Sequence, residues 1–283
     1  MSVPQPFHLA IQVRRCHTQQ ASARVGTDSC STDTRGVAVV LDVISARRKV
    51  ASGSAQDPRF RSDIEPLRPL LPLIGLLVIA VAVMTDLAAG KSILSVDVTF
   101  GQWLQSREIP FGSVIAAFGN AAGSSAVGIP LALGAVGVSA LARRWADALF
   151  LFGLLLARGL NTPLKEWASS PRPPETLIQV TEAARGLGFP SGHSMGVVLL
   201  AGGLAYVACA ALPSGRVRVL PCVAAVLVIL STGYGRIETG AHWPSDVLGG
   251  FLWGTLLLLV AIVVRRLITA HYAERTNRGQ APR

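Results

Sequence analysis

Charged side chains are scarce in this chain. They make up 15% of its 283 residues, against 51% hydrophobic ones. An ordinary soluble domain carries about 25% charge. The shortage, with a mean hydropathy of +0.48, points to a polytopic membrane protein. Aromatics are also few, at 6%, and no basic face is interleaved with them. The net charge of +10 therefore does not describe a nucleic-acid surface. The four cysteines (Cys16, Cys30, Cys209 and Cys222) contain no C-x2-C pair. That argues against a zinc site and a disulfide framework, and buried structural thiols are expected. A basic start running at once into an apolar core is missing as well, so no signal peptide is predicted. The first spanning segment is expected to act as the membrane address.

What is present divides the chain into three parts. Residues 1–66 are polar and Arg-rich, with ten Lys/Arg through Arg68 against six Asp/Glu. The apolar run Gly36 to Ala46 is too short to span, since a helix needs about 20 residues. A disordered cytoplasmic tail is expected. Residues 67–268 read as an all-α bundle of six transmembrane helices. These run near Leu70–Ala89, Ser124–Ala142, Ala146–Lys165, Gly192–Leu212, Val217–Tyr234 and Pro244–Val264. The alternating stretch Ile93–Gln105 predicts an amphipathic helix on the membrane surface. Residues 269–283 are expected to form a short cytoplasmic tail. Basic residues at Arg47, Arg48, Lys49, Arg143, Arg144, Arg216, Arg218, Arg265 and Arg266 all fall on one side of that topology. The positive-inside rule makes that side cytoplasmic.

Three short stretches at the ends of apolar segments carry the chemistry. Lys165 and Arg172-Pro173 read K-x6-R-P, Pro190-Ser191-Gly192-His193 reads P-S-G-H, and Arg236, His242 and Asp246 read R-x5-H-x3-D. In the predicted topology all three face outside. His242 and Asp246 are four apart at the start of a helix, so they share a face. A carboxylate there can bond one imidazole nitrogen and leave the other to attack phosphorus. Ser191 suits the N-cap of its helix, and Gly192 admits close approach. A helix N-terminus presents free N–H groups to an anion, and His193 beside it can protonate a leaving oxygen. Lys165, Arg172 and Arg236 supply positive charge, the arginines in forked geometry. Covalent phosphoryl transfer through histidine requires such a set.

These motifs resemble the type 2 phosphatidic acid phosphatases, whose site is shared with vanadium haloperoxidases and bacterial acid phosphatases. The similarity covers roughly residues 70 to 265. It implies His242 as nucleophile, Asp246 as its orienter and His193 as general acid. It implies phosphate binding by Lys165, Arg172, Ser191, Gly192 and Arg236. It also implies six helices, no metal and no cofactor. One position departs from the pattern: Gly235 stands where the family has a serine before the arginine, which removes a hydroxyl donor.

The expected substrate is a phosphomonoester or diphosphate of a lipid. Polyprenyl diphosphate comes first, then phosphatidic acid or phosphatidylglycerol phosphate. A lipid phosphotransferase using the same intermediate is an alternative, as is a non-catalytic transporter or scaffold on the same fold. Arg158 lies deep in the third segment, and a deep arginine needs a partner. A buried carboxylate and a supporting role at the phosphate site are both open. Glu175, Glu182 and Arg185 read as solvated loop charges, with contact to the substrate headgroup as the alternative.

Overall fold

The computed structural model describes residues 70–90, 92–182, 184–212 and 216–279. The predicted tail at 1–66 lies outside them. Among the described residues every regular element is helical. Ten α-helices are labelled in chain order. They are α1 Leu70–Ala89, α2 Ser95–Gln105, α3 Gly112–Gly123, α4 Ser125–Leu141, α5 Trp145–Ala157, α6 Asn161–Ala168, α7 Gly192–Val197, α8 Gly203–Ala211, α9 Val219–Glu238 and α10 Pro244–Gly279. A π turn, Val198–Gly202, joins α7 to α8 without a break in the rod.

Among the described residues four stretches are long and apolar enough to cross a membrane: Leu70–Ala89, Gly192–Ala211, Arg216–Glu238 and Pro244–Tyr272. A fifth crossing forms if α3 and α4, bent by 56° at Ser124, are one span. Ser124 makes that elbow by capping α4, its hydroxyl accepting from the Val127 N–H at 3.2 Å. The count of six is not reached by this measure. The predicted third span, Ala146–Lys165, divides into α5, a 3₁₀ turn at Arg158–Leu160 and α6. Pro163 has no N–H for the Gly159 carbonyl four residues back, so the α-helical ladder breaks there. At the other end of the chain, α10 runs through the predicted boundary at 268 to Gly279. The predicted surface helix is present as α2, with Val96, Phe100 and Trp103 exposed.

Close backbone contact sets the two packings that matter for the site. A Cβ on Gly250 would lie 2.7 Å from the Ser191 carbonyl, and one on Gly254 would lie 3.0 Å from that of Met195. This small-x3-small pair brings α10 against the start of α7. Gly119 meets the Ser231 carbonyl in the same way, at 2.1 Å from an ideal Cβ, which presses α3 onto α9. Leu151, Leu154, Met195, Leu199 and Ile262 fill the centre between α5, the α7–α8 rod and α10.

The ends of the bundle differ chemically. At one end Asp147 accepts from Arg144 at 2.6 Å and also from Arg265. The three motifs gather at the other. Cys209 is half-buried and Cys222 exposed, with their sulfurs 3.5 Å apart. The expectation of buried thiols is therefore corrected for this pair. A bundle surrounded by lipid has an apolar exterior, where a small apolar thiol needs no burial.

Candidate functional site

The spacing of each motif reflects a turn that folds back on its own helix. α9 ends at Glu238, Gly240 takes the left-handed conformation (φ +67°), and the His242 N–H donates to the Arg236 carbonyl at 3.1 Å. R-x5-H is thus one closed turn that sets Arg236 beside His242. Four residues on, Asp246 lies in the first turn of α10, under the imidazole. On the K-x6-R side, Ser169 ends α6 in a left-handed cap, its N–H bonding the Lys165 carbonyl at 2.8 Å. The chain then doubles back and Arg172 reaches the same place. The P-S-G-H loop enters through a cis Phe189–Pro190 bond. Its Ser191 N–H donates to the Asp246 carbonyl at 3.0 Å, which ties two motifs together.

Hydrogen bonds fix the state of His242. Its Nδ1 lies 3.2 Å from Asp246 Oδ2, and its Nε2 lies 3.2 Å from Arg172 Nη1. A guanidinium can only donate, so Nε2 must accept. The proton therefore sits on Nδ1 and is donated to Asp246. The side chains of His242 and Asp246 are 2% and 1% exposed. Burial pushes the imidazole pKa well below its ordinary value of 6.5. The charges of Arg172, Lys165 and Arg236 and the nearby His193 push it the same way. The ring is neutral at neutral pH, with a lone pair directed toward the cations.

Backbone carbonyls hold Lys165 and Arg172, and side chains hold Arg236. Lys165 Nζ donates to the carbonyls of Leu187 and Gly188 at 2.6 and 2.8 Å. An ammonium has three donors, so one remains. Arg172 donates from Nε to the Gly186 carbonyl at 3.0 Å and from Nη1 to the Ala241 carbonyl at 2.5 Å. Arg236 is buried. Its Nη1 meets both oxygens of Glu182 at 3.0 Å and Asn120 Oδ1 at 3.2 Å. Its Nε is buried with no acceptor among the described residues. Ser191 is fully buried and caps α7, its hydroxyl accepting from the Ser194 N–H at 3.4 Å. His193 stands in the first turn of α7, its Cβ against Gly123 of α3.

All eight residues singled out from the sequence (Lys165, Arg172, Ser191, Gly192, His193, Arg236, His242 and Asp246) lie at this one end of the bundle. Four further residues were missed in whole or in part. Glu182 is an exposed loop charge, as read, and it also pairs with Arg236. Asn161 donates to the Pro190 carbonyl at 3.2 Å, and its Oδ1 crowds the α-carbon of Gly192. Its place four residues before Lys165, on one helix face, was a readable signal. Asp97 accepts from both the N–H and the hydroxyl of Ser245, at 2.8 and 2.6 Å. It thereby caps α10 from α2, one residue before Asp246. Asn120 had no sequence signal.

Asn120 changes the reading of Gly235. A Cβ there would lie 2.7 Å from the Ala116 carbonyl and 2.8 Å from Asn120 Oδ1. The position is glycine because α3 presses on α9, and the Asn120 amide occupies the place of the missing hydroxyl. Restoring the serine with Gly235→Ser is therefore expected to destabilise the fold, by about 1–3 kcal/mol through overpacking. It is not expected to improve any activity. A thermal melt in detergent checks this, and an unchanged midpoint would contradict it.

Comparison with known proteins follows the same residues. The PAP2 superfamily model matches residues 147–269, which contain all three motifs. Phosphatidylglycerophosphatase B of Bacillus subtilis (strain 168) is 35% identical over 120 residues, which is 42% of this chain and 57% of that protein. The matched segment thus spans little more than half the length of that relative. Among solved structures, the crystal structure of a transmembrane PAP2-type phosphatidylglycerolphosphate phosphatase from Bacillus subtilis shares the fold. Its TM-score is 0.56 at 23% identity, covering 67% of this chain and 96% of that one. The segment that is similar to the PAP2 superfamily, residues 147–269, thus holds every motif residue from Lys165 through Asp246.

Proposed function

We propose that this chain is a multi-pass membrane phosphatase that removes a phosphate from a lipid through a phosphohistidine on His242. The observation that carries the reading is the state of that ring: Nδ1–H on Asp246, Nε2 unprotonated and accepting from Arg172. In the first step Nε2 forms a bond to phosphorus in line with the departing oxygen. His193 gives that oxygen a proton, and the lipid alcohol (or lipid phosphate, from a diphosphate) leaves. In the second step His193 takes a proton from water, whose oxygen bonds to phosphorus. The P–N bond breaks, and inorganic phosphate leaves with His242 restored.

The cations stabilise the charge on the phosphoryl oxygens in both steps. Arg172 transfers its hydrogen bond from Nε2 to a phosphate oxygen, and the unbonded Arg236 Nε turns to another. Ser191, Gly192 and the third Lys165 donor complete the seat. Glu182 takes one nitrogen of Arg236, Nη1, in this structure, which leaves Nε for the phosphate. No residue role here calls for a metal. The arginines at the Asp147 end favour a cytoplasmic placement of that end. The sixth crossing then comprises α5 through α6, both termini are inside and the site faces outward.

The B. subtilis relative's name moves phosphatidylglycerol phosphate ahead of polyprenyl diphosphate and phosphatidic acid among the substrates. The test is phosphate release from these three lipids by the protein purified in detergent, with chelator present. Release from at least one, undiminished by chelator, is expected. Turnover of none would overturn the reading. Loss of activity with chelator would overturn its metal-free form. Phosphate recovered on an added alcohol rather than as free phosphate would turn it into a transferase.

A further inference from the structure

Among the described residues, Arg158 is the one arginine in the middle of the bundle that the proposed chemistry leaves unused. It sits where α5 tightens into the 3₁₀ turn, in a narrow cleft lined by Leu151, Leu154, Leu155, Leu199 and Leu200. A charge at that depth is costly, by about 2.5–3.5 kcal/mol on insertion scales. No carboxylate pairs with it among the described residues. Its Nη2 instead donates to the Gly123 carbonyl at 3.1 Å and to the Ser125 hydroxyl at 3.0 Å. Those two groups flank Ser124, the elbow between α3 and α4. The guanidinium therefore bridges the break. It caps the negative end of α3 and holds the first residue of α4.

Both walls that the guanidinium touches also bound His193. Gly123, whose carbonyl it holds, has its α-carbon against the histidine: an ideal Cβ there would stand 3.0 Å from His193 Cβ and 3.2 Å from the His193 carbonyl. On the other side lies Gly196, three residues past His193 in the same turn of α7. A Cβ on Gly196 would fall 2.1 Å from Arg158 Nη1, so the guanidinium fills the place of a side chain there. Arg158 is thus wedged between the elbow and α7, and His193 is seated where the two surfaces meet.

We infer that Arg158 is a positioning residue for His193: it locks the α3–α4 elbow against α7 and so sets where the imidazole stands relative to the departing oxygen. This rests on the proposed phosphatase reading, in which His193 is the proton donor. Without the guanidinium the Gly123 carbonyl loses its partner in an apolar cleft, and the elbow is released. The histidine's supporting wall then moves. The effect falls on proton delivery and not on the His242 nucleophile, which α9 and α10 hold.

Leaving groups separate the two. An alkyl phosphate departs as a strongly basic alkoxide and needs the proton. p-Nitrophenyl phosphate departs as a stable phenolate and does not. Arg158→Met is expected to lower kcat on an alkyl lipid phosphate roughly 10- to 100-fold, the scale of a displaced catalytic group. Its burst of p-nitrophenolate, which reports the first step alone, should fall by less than about 3-fold, because that step needs no proton from His193. Added to His193→Ala, it should cause no further loss on the alkyl ester. Ser125→Ala removes only one of the two acceptors and keeps the chain's packing. It should show the same selectivity in milder form, which keeps the idea testable if Arg158→Met does not fold.

Equal losses in the alkyl-ester rate and in the p-nitrophenolate burst, or a full extra loss in the His193→Ala background, would mean a general structural role and overturn the inference. An alkyl-ester rate unchanged in both single variants would overturn it too. Wild type and His242→Ala are run alongside. A wild type inactive on both esters sinks the phosphatase reading and this inference with it. An active wild type, a dead His242→Ala and an unselective Arg158→Met sink this inference alone.

Discussion

Replacing His242 by alanine is expected to reduce phosphate release by on the order of 10⁴-fold or more, the scale seen when a covalent nucleophile is removed. No other side chain can take its place. Ser191 is fully buried and committed as the cap of α7, and it is a weak nucleophile without an adjacent base. His193 lies against Gly123, and in the proposed mechanism it serves the departing oxygen. The variant should still bind substrate, because Lys165, Arg172 and Arg236 are anchored by contacts other than the imidazole. The measurement has two parts. One is phosphate release. The other is acid-labile radiolabel on the protein after mixing with substrate whose phosphate is labelled. Wild type should carry label briefly, His242→Ala none. His193→Ala should carry it longest when given an activated ester, since deprotonation of the attacking water is lost. Wild-type turnover by His242→Ala would sink the covalent mechanism.

The groups behind that prediction were legible in the sequence because ionisable side chains are conspicuous in an apolar chain. Lys165, Arg172, His193, Arg236, His242 and Asp246 stand at the ends of hydrophobic runs, where charge is otherwise rare. The all-helical class followed from run length. What was not legible depended on contacts between segments distant in sequence. α3 is a run rich in glycine and alanine that none of the predicted helices covered. It is a helix because its small residues let it press onto α9, and that contact makes Gly235 necessary and brings Asn120 to Arg236. Glu182 looked like one more loop charge until the loop was seen folded over Arg236. The partners of Arg158 are a carbonyl and a hydroxyl at a helix elbow. No search for a compensating carboxylate could have found them. The division of the third span at Arg158–Leu160 was available in principle, since Pro163 marks it.

Asp246→Asn tests what the carboxylate does beyond holding the ring. In a triad with a single contact, an amide can turn its NH2 toward the imidazole, reverse the tautomer and cost about 10⁴-fold. This site resists that reversal. Asp246 Oδ2 accepts two hydrogen bonds at once, from His242 Nδ1 at 3.2 Å and from the Trp243 backbone N–H at 3.1 Å. The backbone donor cannot turn away. An asparagine must therefore place its oxygen there, and that oxygen also receives the Nδ1 proton. Nε2 stays free, and only the negative charge is lost. The charge matters when Nε2 bonds phosphorus, because the ring then becomes cationic. Loss of one such preorganised electrostatic contact costs about 10²- to 10³-fold in kcat. Asp246→Asn should show that loss with little change in KM. Asp246→Ala should lose more, and should also melt lower, because the Trp243 N–H is left unbonded in a buried place at a cost of about 1–3 kcal/mol. Kinetics and thermal melts of the two variants give the answer together. An Asp246→Asn protein as active as wild type would show that the carboxylate only orients. A loss of 10⁴-fold or more without loss of stability would show that the tautomer reversed in spite of Trp243.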